Sequence, residues 1–77
     1  MNKSRRAKIS KLLEELEYIN SEIESIKCDE QDALDNLPES IQGSDRGQQM
    51  EEYVDSLDEA LESMQSAIDT LTEIAEG

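Results

Sequence analysis

The sequence contains no histidine, no tryptophan and no phenylalanine, and it has a single cysteine and a single proline. Because Cys28 has no second cysteine to pair with, a disulfide within one chain is excluded. A zinc site built from cysteine and histidine is excluded for the same reason. Bundles that hold two iron ions use Glu-x-x-His motifs, which this sequence cannot form. We therefore expect no metal and no cofactor.

The residues that carry out catalysis are also missing. Cys28 is surrounded by acidic residues and has no histidine to act as its base. The acidic cluster of Asp29, Glu30, Asp32 and Asp35 lacks the alternating ligands and central glycine of a calcium-binding loop. No nucleophile–base pair and no phosphate-binding loop is present. The sequence predicts a protein that is not an enzyme.

Long apolar runs are absent too, since no stretch has more than two adjacent apolar residues. The sequence therefore predicts no membrane-spanning segment and no membrane partner. The basic N-terminus is not followed by the apolar region of a signal peptide. A lone cysteine without an export signal is typical of a reducing compartment, so we expect a cytoplasmic protein.

Positive charge is scarce outside the N-terminus, and the formal net charge of the chain is −13. Five basic residues occupy the first eleven positions, namely Lys3, Arg5, Arg6, Lys8 and Lys11. They could bind an anionic partner, or they could neutralise Asp69, Glu73 and Glu76 at the far end of the second helix. The remaining acidic surface repels nucleic acid and favours a partner with a basic surface. We expect no direct binding to nucleic acid.

What the sequence does contain is heptad periodicity, in which apolar residues recur at alternating steps of three and four. In the first half this pattern predicts a helix over about residues 3–37. Its predicted core residues are Ile9, Leu12, Leu16, Ile19, Ile23 and Ile26.

The second half repeats the pattern from about residue 45 to residue 76. A further apolar column follows Tyr53, Ala60, Ala67 and Ile74. The predicted core residues of this helix are Val54, Leu57, Leu61, Met64, Ile68 and Leu71.

A turn over residues 38–44 separates the two helices and begins at the only proline. Ser44 or Asp45 is suited to cap the second helix, and Asp45 with Gln48 has the spacing of a capping box. The sequence thus predicts a single all-α domain, residues 1–77, folded as an antiparallel helical hairpin. One hairpin buries a single seam, so we expect two copies to form a four-helix bundle of coiled-coil type.

The segment around the turn resembles a family of small acidic proteins from phages and prophages of Firmicutes. The resemblance covers about residues 29–75 and is most specific at the turn. It rests on Asp29, Glu30, Gln31, Asp35, Asn36, Pro38, Glu39, Gln42, Ser44 and Arg46. It implies a phage protein acting in the cytoplasm of a bacterial host, in a setting where small acidic helical proteins often inhibit host defence.

Three hypotheses for function follow. The first is a phage-encoded protein that binds and inhibits a host protein with a basic surface, plausibly an anti-phage defence component. The second is a structural or assembly protein that acts as an oligomeric coiled-coil scaffold, and the third is a nucleic-acid mimic. The predicted partner-binding residues are Glu51, Glu52, Asp55, Asp58, Glu59 and Glu62 on the second helix, with Ile41 and Arg46 at the turn. For these last two the alternative is structural, with Ile41 closing the end of the bundle and Arg46 pairing with Asp32, Asp35 or Glu39.

Overall fold

The computed structural model describes every residue from Met1 to Gly77 and consists of helices joined by short connections. The helices are α1 (Lys3–Asp35), α2 (Glu39–Gln42) and α3 (Asp45–Glu76). No strand is present. The prediction of an all-α fold is confirmed.

Helix α1 is an unbroken run of 33 residues. Its first turn is capped by Asn2, whose side-chain oxygen accepts a hydrogen bond from the Arg5 amide at 2.8 Å. It ends at Asp35, two residues before the predicted limit of 37. The amide of Asn36 still bonds to the Asp32 carbonyl at 3.0 Å, but Pro38 disfavours helical geometry at Leu37. The proline therefore ends the helix earlier than the heptad count suggests.

The segment predicted as a turn contains the short helix α2. The amides of Ile41 and Gln42 both donate to the Pro38 carbonyl, at 2.8 and 3.1 Å. The Gln42 side-chain amide donates to the Leu37 carbonyl at 3.0 Å and so satisfies a backbone group beyond the end of α1. The connection is a hydrogen-bonded helical turn and not an irregular loop.

Helix α3 begins at Asp45 with Ser44 as its N-cap residue. The Ser44 hydroxyl donates to the Ile41 carbonyl, and no side chain caps the helix. The predicted capping box of Asp45 and Gln48 is therefore absent, because Asp45 already lies in the first helical turn. The Gln48 amide bonds to the Ser44 carbonyl at 2.9 Å, which is the first hydrogen bond of the helix.

The start of α3 lies very close to α2, and Gly47 is the residue that allows it. Gly47 is buried. A Cβ atom at this position would lie 2.0 Å from the Gln42 carbonyl oxygen and 2.9 Å from that of Ile41. Any side chain would clash with the backbone, so glycine is required here for close approach.

Helices α1 and α3 pack against each other along a molecule of 59 × 15 × 12 Å. Lys27 of α1 forms an ion pair with Asp58 of α3. Near the turn, Gln31 and Leu34 line one cleft together with Val54. Residues in the second half of α1 thus contact residues in the first half of α3.

Burial is limited in a single chain. The buried apolar residues are Leu34, Val54 and Ile68, which are 8%, 6% and 5% exposed. No side chain is fully enclosed. The two helices therefore share a seam but do not form a closed core, which leaves much of their apolar surface in contact with solvent.

Candidate functional site: the acidic arc and the open face

The heptad positions of both helices follow from their burial. Lettering each helix from a to g, with Leu34 and Val54 at position a, places all four buried residues at a, including Gly47 and Ile68. The residues at d are all half-buried, and the residues at g are all exposed. Burial is therefore greatest at a on α3, whereas on α1 the a residues before Leu34 are half-buried like the d residues; on both helices the g residues are the exposed ones.

This lettering shifts one column of the predicted α1 core. Ile9, Leu16 and Ile23 are half-buried at d. The a column, which faces α3, holds Leu13, Asn20, Lys27 and Leu34. At g lie Leu12, Ile19 and Ile26, which are 53%, 45% and 55% exposed. In a single chain these three predicted core residues are on the surface.

The predicted core of α3 lies along the seam. Val54 and Ile68 are buried at a, and Leu61 at a is half-buried. Leu57, Met64 and Leu71 occupy d and are half-buried. The g column of this helix is exposed throughout; after Arg46 it consists of Tyr53, Ala60, Ala67 and Ile74. Excluding Arg5 and Arg46 at the same position, we call the exposed apolar g residues of both helices the open face: Leu12, Ile19, Ile26, Ala33, Tyr53, Ala60, Ala67 and Ile74.

All ten acidic residues of α3 lie at positions b, e and f, which are adjacent around the helix. We call them the acidic arc: Asp45, Glu51, Glu52, Asp55, Asp58, Glu59, Glu62, Asp69, Glu73 and Glu76. The six predicted partner-binding acids belong to it, and five of them are exposed. These five make no ion pair and no side-chain hydrogen bond within the chain. Their carboxylates are free for another molecule.

Asp58 is the exception in the arc. Its carboxylate pairs with Lys27, and both side chains are partly exposed, at 47% and 31%. The hydrogen bond from Lys27 to Asp58 raises the pKa of the Lys27 ammonium above its ordinary value, aided by the negative charges of Asp58 and Glu24. Asp58 therefore holds α1 and α3 together at this level, in addition to carrying negative charge.

The predicted turn residues have different environments. Ile41 is half-buried within the connection, and its carbonyl accepts a hydrogen bond from the Ser44 hydroxyl. Arg46 is exposed and forms no ion pair, so it does not pair with Asp32, Asp35 or Glu39. The structural alternative fits the half-buried position of Ile41, whereas Arg46 lies free at the surface.

The basic N-terminal segment forms no ion pair with the end of α3, because Lys27–Asp58 is the one ion pair of the structure.

No group of three or more acidic, histidine or cysteine side chains is arranged to hold a metal ion. None of the helices combines the length and the hydropathy needed to cross a membrane. Cys28 is free and exposed.

Comparison of the chain with protein-family models, with curated proteins and with solved structures finds no match.

Proposed function

We propose that this chain is a non-catalytic binding protein whose acidic arc contacts a basic surface of another protein. The observation that carries the proposal is the set of five exposed carboxylates at Glu51, Glu52, Asp55, Glu59 and Glu62, none of which has a partner within the chain. Exposed like charges on one side of a helix speed association with an oppositely charged surface and select against like-charged partners.

The scaffold that presents this arc is an antiparallel helical hairpin that dimerises into a four-helix bundle. The Lys27–Asp58 pair and the cleft shared by Leu34 and Val54 support the hairpin, because the contacts run in opposite chain order on α1 and α3. The small number of buried side chains supports the dimer, because a two-helix unit of this size leaves its apolar surface only partly covered.

The proposed partner is a host protein of bacterial anti-phage defence, which the chain inhibits by binding. The support for this setting is the resemblance of residues 29–75 to small acidic phage proteins, together with the strongly acidic surface. The location that follows from it is the cytoplasm of the bacterial host.

Mimicry of nucleic acid receives less support from the charge density. Ten acids along α3, which is about 48 Å long at 1.5 Å per residue, give roughly one charge per 5 Å. Duplex DNA carries one per ~1.7 Å.

The second candidate function is a coiled-coil scaffold, and the exposed open face favours it, because an uncovered apolar face is a site for other chains.

Affinity capture from bacterial host lysate tests the proposal, with the wild-type chain compared to the triple reversal Asp55→Lys, Glu59→Lys, Glu62→Lys. We expect the wild type to recover one host protein in stoichiometric amount and the reversal to lose it. Recovery of virion proteins by both chains contradicts the proposal in favour of a scaffold. A captured target that also binds DNA, with competition that weakens as salt rises, favours mimicry.

A further inference from the structure

The open face has the composition of a contact surface. Its α1 column holds Leu12, Ile19 and Ile26, each about half exposed. Beside the matching α3 column lie Gln49, Ser56, Ser63 and Thr70 at position c, none of them charged. In a chain that is 35% charged, the two columns of α3 from Gln49 to Ile74 carry no charge at all. The ten acids lie on the other side of the helix.

The α1 and α3 columns lie on the same side of the molecule. In an antiparallel pair the two helices are related by an approximate twofold axis perpendicular to both, so equivalent heptad positions face the same way. The Lys27–Asp58 pair aligns the two antiparallel helices along their length. Steps of seven residues from that pair place Ile26 beside Ala60, Ile19 beside Ala67 and Leu12 beside Ile74, each at the same height along the molecule. The open face is therefore one continuous surface, in which the large Ile19 and Ile26 of α1 lie beside the small alanines of α3 at residues 60 and 67.

We propose that the open face is the docking surface for a second copy of this chain, with α1 of each copy packed against α3 of the other. This inference rests on the proposed antiparallel hairpin, and it names the face through which the hairpin dimerises. The half-buried d residues other than Glu30 and the residues of the open face form a second apolar seam, next to the a/d seam within each chain. In α1 this second seam consists of the predicted core residues Ile9, Leu12, Leu16, Ile19, Ile23 and Ile26.

Complementary size argues for a second copy as the occupant. If the twofold axis of the dimer runs along the bundle, each residue keeps its level. Ile26 of one copy then faces Ala60 of the partner subunit, and Ile19 faces the partner's Ala67. Small residues on one helix admit large residues from the other, as in knobs-into-holes packing. The match of large to small residues holds at these two middle levels, whereas Leu12 faces the partner's Ile74.

Charge argues for the same arrangement. With α1 against the partner's α3, the acidic column of Glu15, Glu22 and Asp29 borders the uncharged c column of the partner. The two acidic α3 helices then occupy opposite corners of the bundle. The reverse docking, with α1 on α1, would place Glu22 against its own copy and Glu15 against Asp29, where like charges repel.

The face is long enough for an interface of ordinary size. Its outline of 59 Å by 15 Å is of the same order as the ~800 Å² of surface that each partner buries in a standard stable interface. In this dimer the half-buried d residues become the centre of the bundle, where four helices meet.

Light scattering tests the oligomeric state. We expect the wild type to have twice the 8.7 kDa mass of one chain and a thermal midpoint that rises with protein concentration. Ile26→Asp should halve the mass, because it places a charge in the interface. The matched control is Ser25→Asp, which adds the same charge at an exposed neighbouring position outside the face and should leave the dimer intact. A wild-type chain that is monomeric and helical by circular dichroism overturns the proposal, as does an Ile26→Asp chain that remains dimeric.

Cross-linking tests the arrangement, using chains in which Cys28→Ser removes the native thiol. Glu22→Cys combined with Ser63→Cys should cross-link between chains with a short bis-maleimide, because these positions are level and border the same contact. Within one chain they lie on opposite edges of the open face. Each single variant should remain uncross-linked, and efficient cross-linking of Glu22→Cys alone refutes the arrangement.

The two proposals fail separately. Reversing acids of the acidic arc should leave the mass of the dimer unchanged, so loss of the host partner does not affect the inference about the open face. A folded monomer that still binds the host partner refutes the dimer and leaves the acidic arc in place.

Discussion

Lys27 of α1 and Asp58 of α3 form the one ion pair of the structure, and it joins the two long helices. Lys27 occupies position a, where an apolar residue is expected, and reaches to the side of the seam away from the open face. The pair fixes which residues of α1 and α3 stand at the same level. It therefore specifies the alignment of the helices more than it adds to their stability.

The first prediction concerns the pH dependence of this pair. Because the folded state raises the pKa of Lys27, the pair contributes its full stabilisation below the unfolded lysine value of about 10.4 and loses it as the pH rises through the folded value. The urea midpoints of the wild type and Lys27→Gln should differ by a constant amount at neutral pH and converge at strongly alkaline pH. Lys11→Gln, at an exposed lysine without a partner, is the control and should show no such convergence. A difference that persists at alkaline pH contradicts the ion-pair explanation.

The second prediction concerns Asn20, which also occupies position a. Its side-chain oxygen is buried and has no hydrogen-bond partner. A buried unsatisfied polar group costs about 1–3 kcal/mol, so Asn20→Leu should raise the free energy of unfolding by at least about 1 kcal/mol. Urea denaturation followed by circular dichroism at fixed protein concentration measures this change. Ser21→Leu adds the same side chain at an exposed position and should give no comparable gain.

The stabilised Asn20→Leu chain should also be less specific in its assembly. A polar residue at position a fixes register and oligomeric state at a cost in stability. We expect light scattering of Asn20→Leu to show species larger than the dimer. A stabilised variant with an unchanged mass would mean that Asn20 does not specify the assembly.

The heptad pattern predicted the helices well, but it placed Leu12 in the core, whereas the single chain leaves Leu12 exposed and Leu13 half-buried. The column through Leu12 continues with isoleucines at residues 19 and 26. The column that turns towards α3 continues instead with Asn20 and Lys27. What favours it is a long-range contact, the bond between Lys27 and Asp58, which no local pattern contains. The acidic arc needed no such contact, because its residues share one side of a single helix.

The connection shows the same limit. Pro38 and Gly43 indicated a break in the helices, but they did not reveal the turn of helix within it. That turn depends on hydrogen bonds to the carbonyls of Leu37 and Pro38. The reason for glycine at position 47 is a backbone contact between α2 and α3. From the sequence alone, Gly47 falls in the second helix, and nothing indicates why a glycine is needed there.

The third prediction tests that contact. Gly47→Ala should destabilise the fold by at least about 1–3 kcal/mol, the usual cost of overpacking, because its Cβ would meet the Gln42 carbonyl oxygen at 2.0 Å. Gly43→Ala is the matched control, since a Cβ there meets nothing within 4 Å. It should be neutral or stabilising by up to about 1 kcal/mol, through the unfolded chain. Urea midpoints compare the two variants, and equal midpoints would contradict the close approach of α2 to α3.

The last prediction locates the contact with the host partner. If the acidic arc makes it, the triple reversal Asp55→Lys, Glu59→Lys, Glu62→Lys should weaken binding by at least about tenfold, or 1.4 kcal/mol. The helical spectrum should be retained, since all three side chains are exposed. The association rate should fall more than the dissociation rate rises, and the affinity of the wild type should decrease with added salt.

The turn provides the opposing test for the same partner. Ile41→Asp and Arg46→Glu alter the half-buried and the exposed residue of the connection without touching the arc. We expect Arg46→Glu to leave binding within about twofold of wild type, while Ile41→Asp is read alongside its urea midpoint because its side chain is half-buried. Calorimetric titration of the captured partner measures both. Full binding by the triple reversal together with loss of binding by Arg46→Glu would move the contact from the acidic arc to the turn, where the only positive charge of α3 lies.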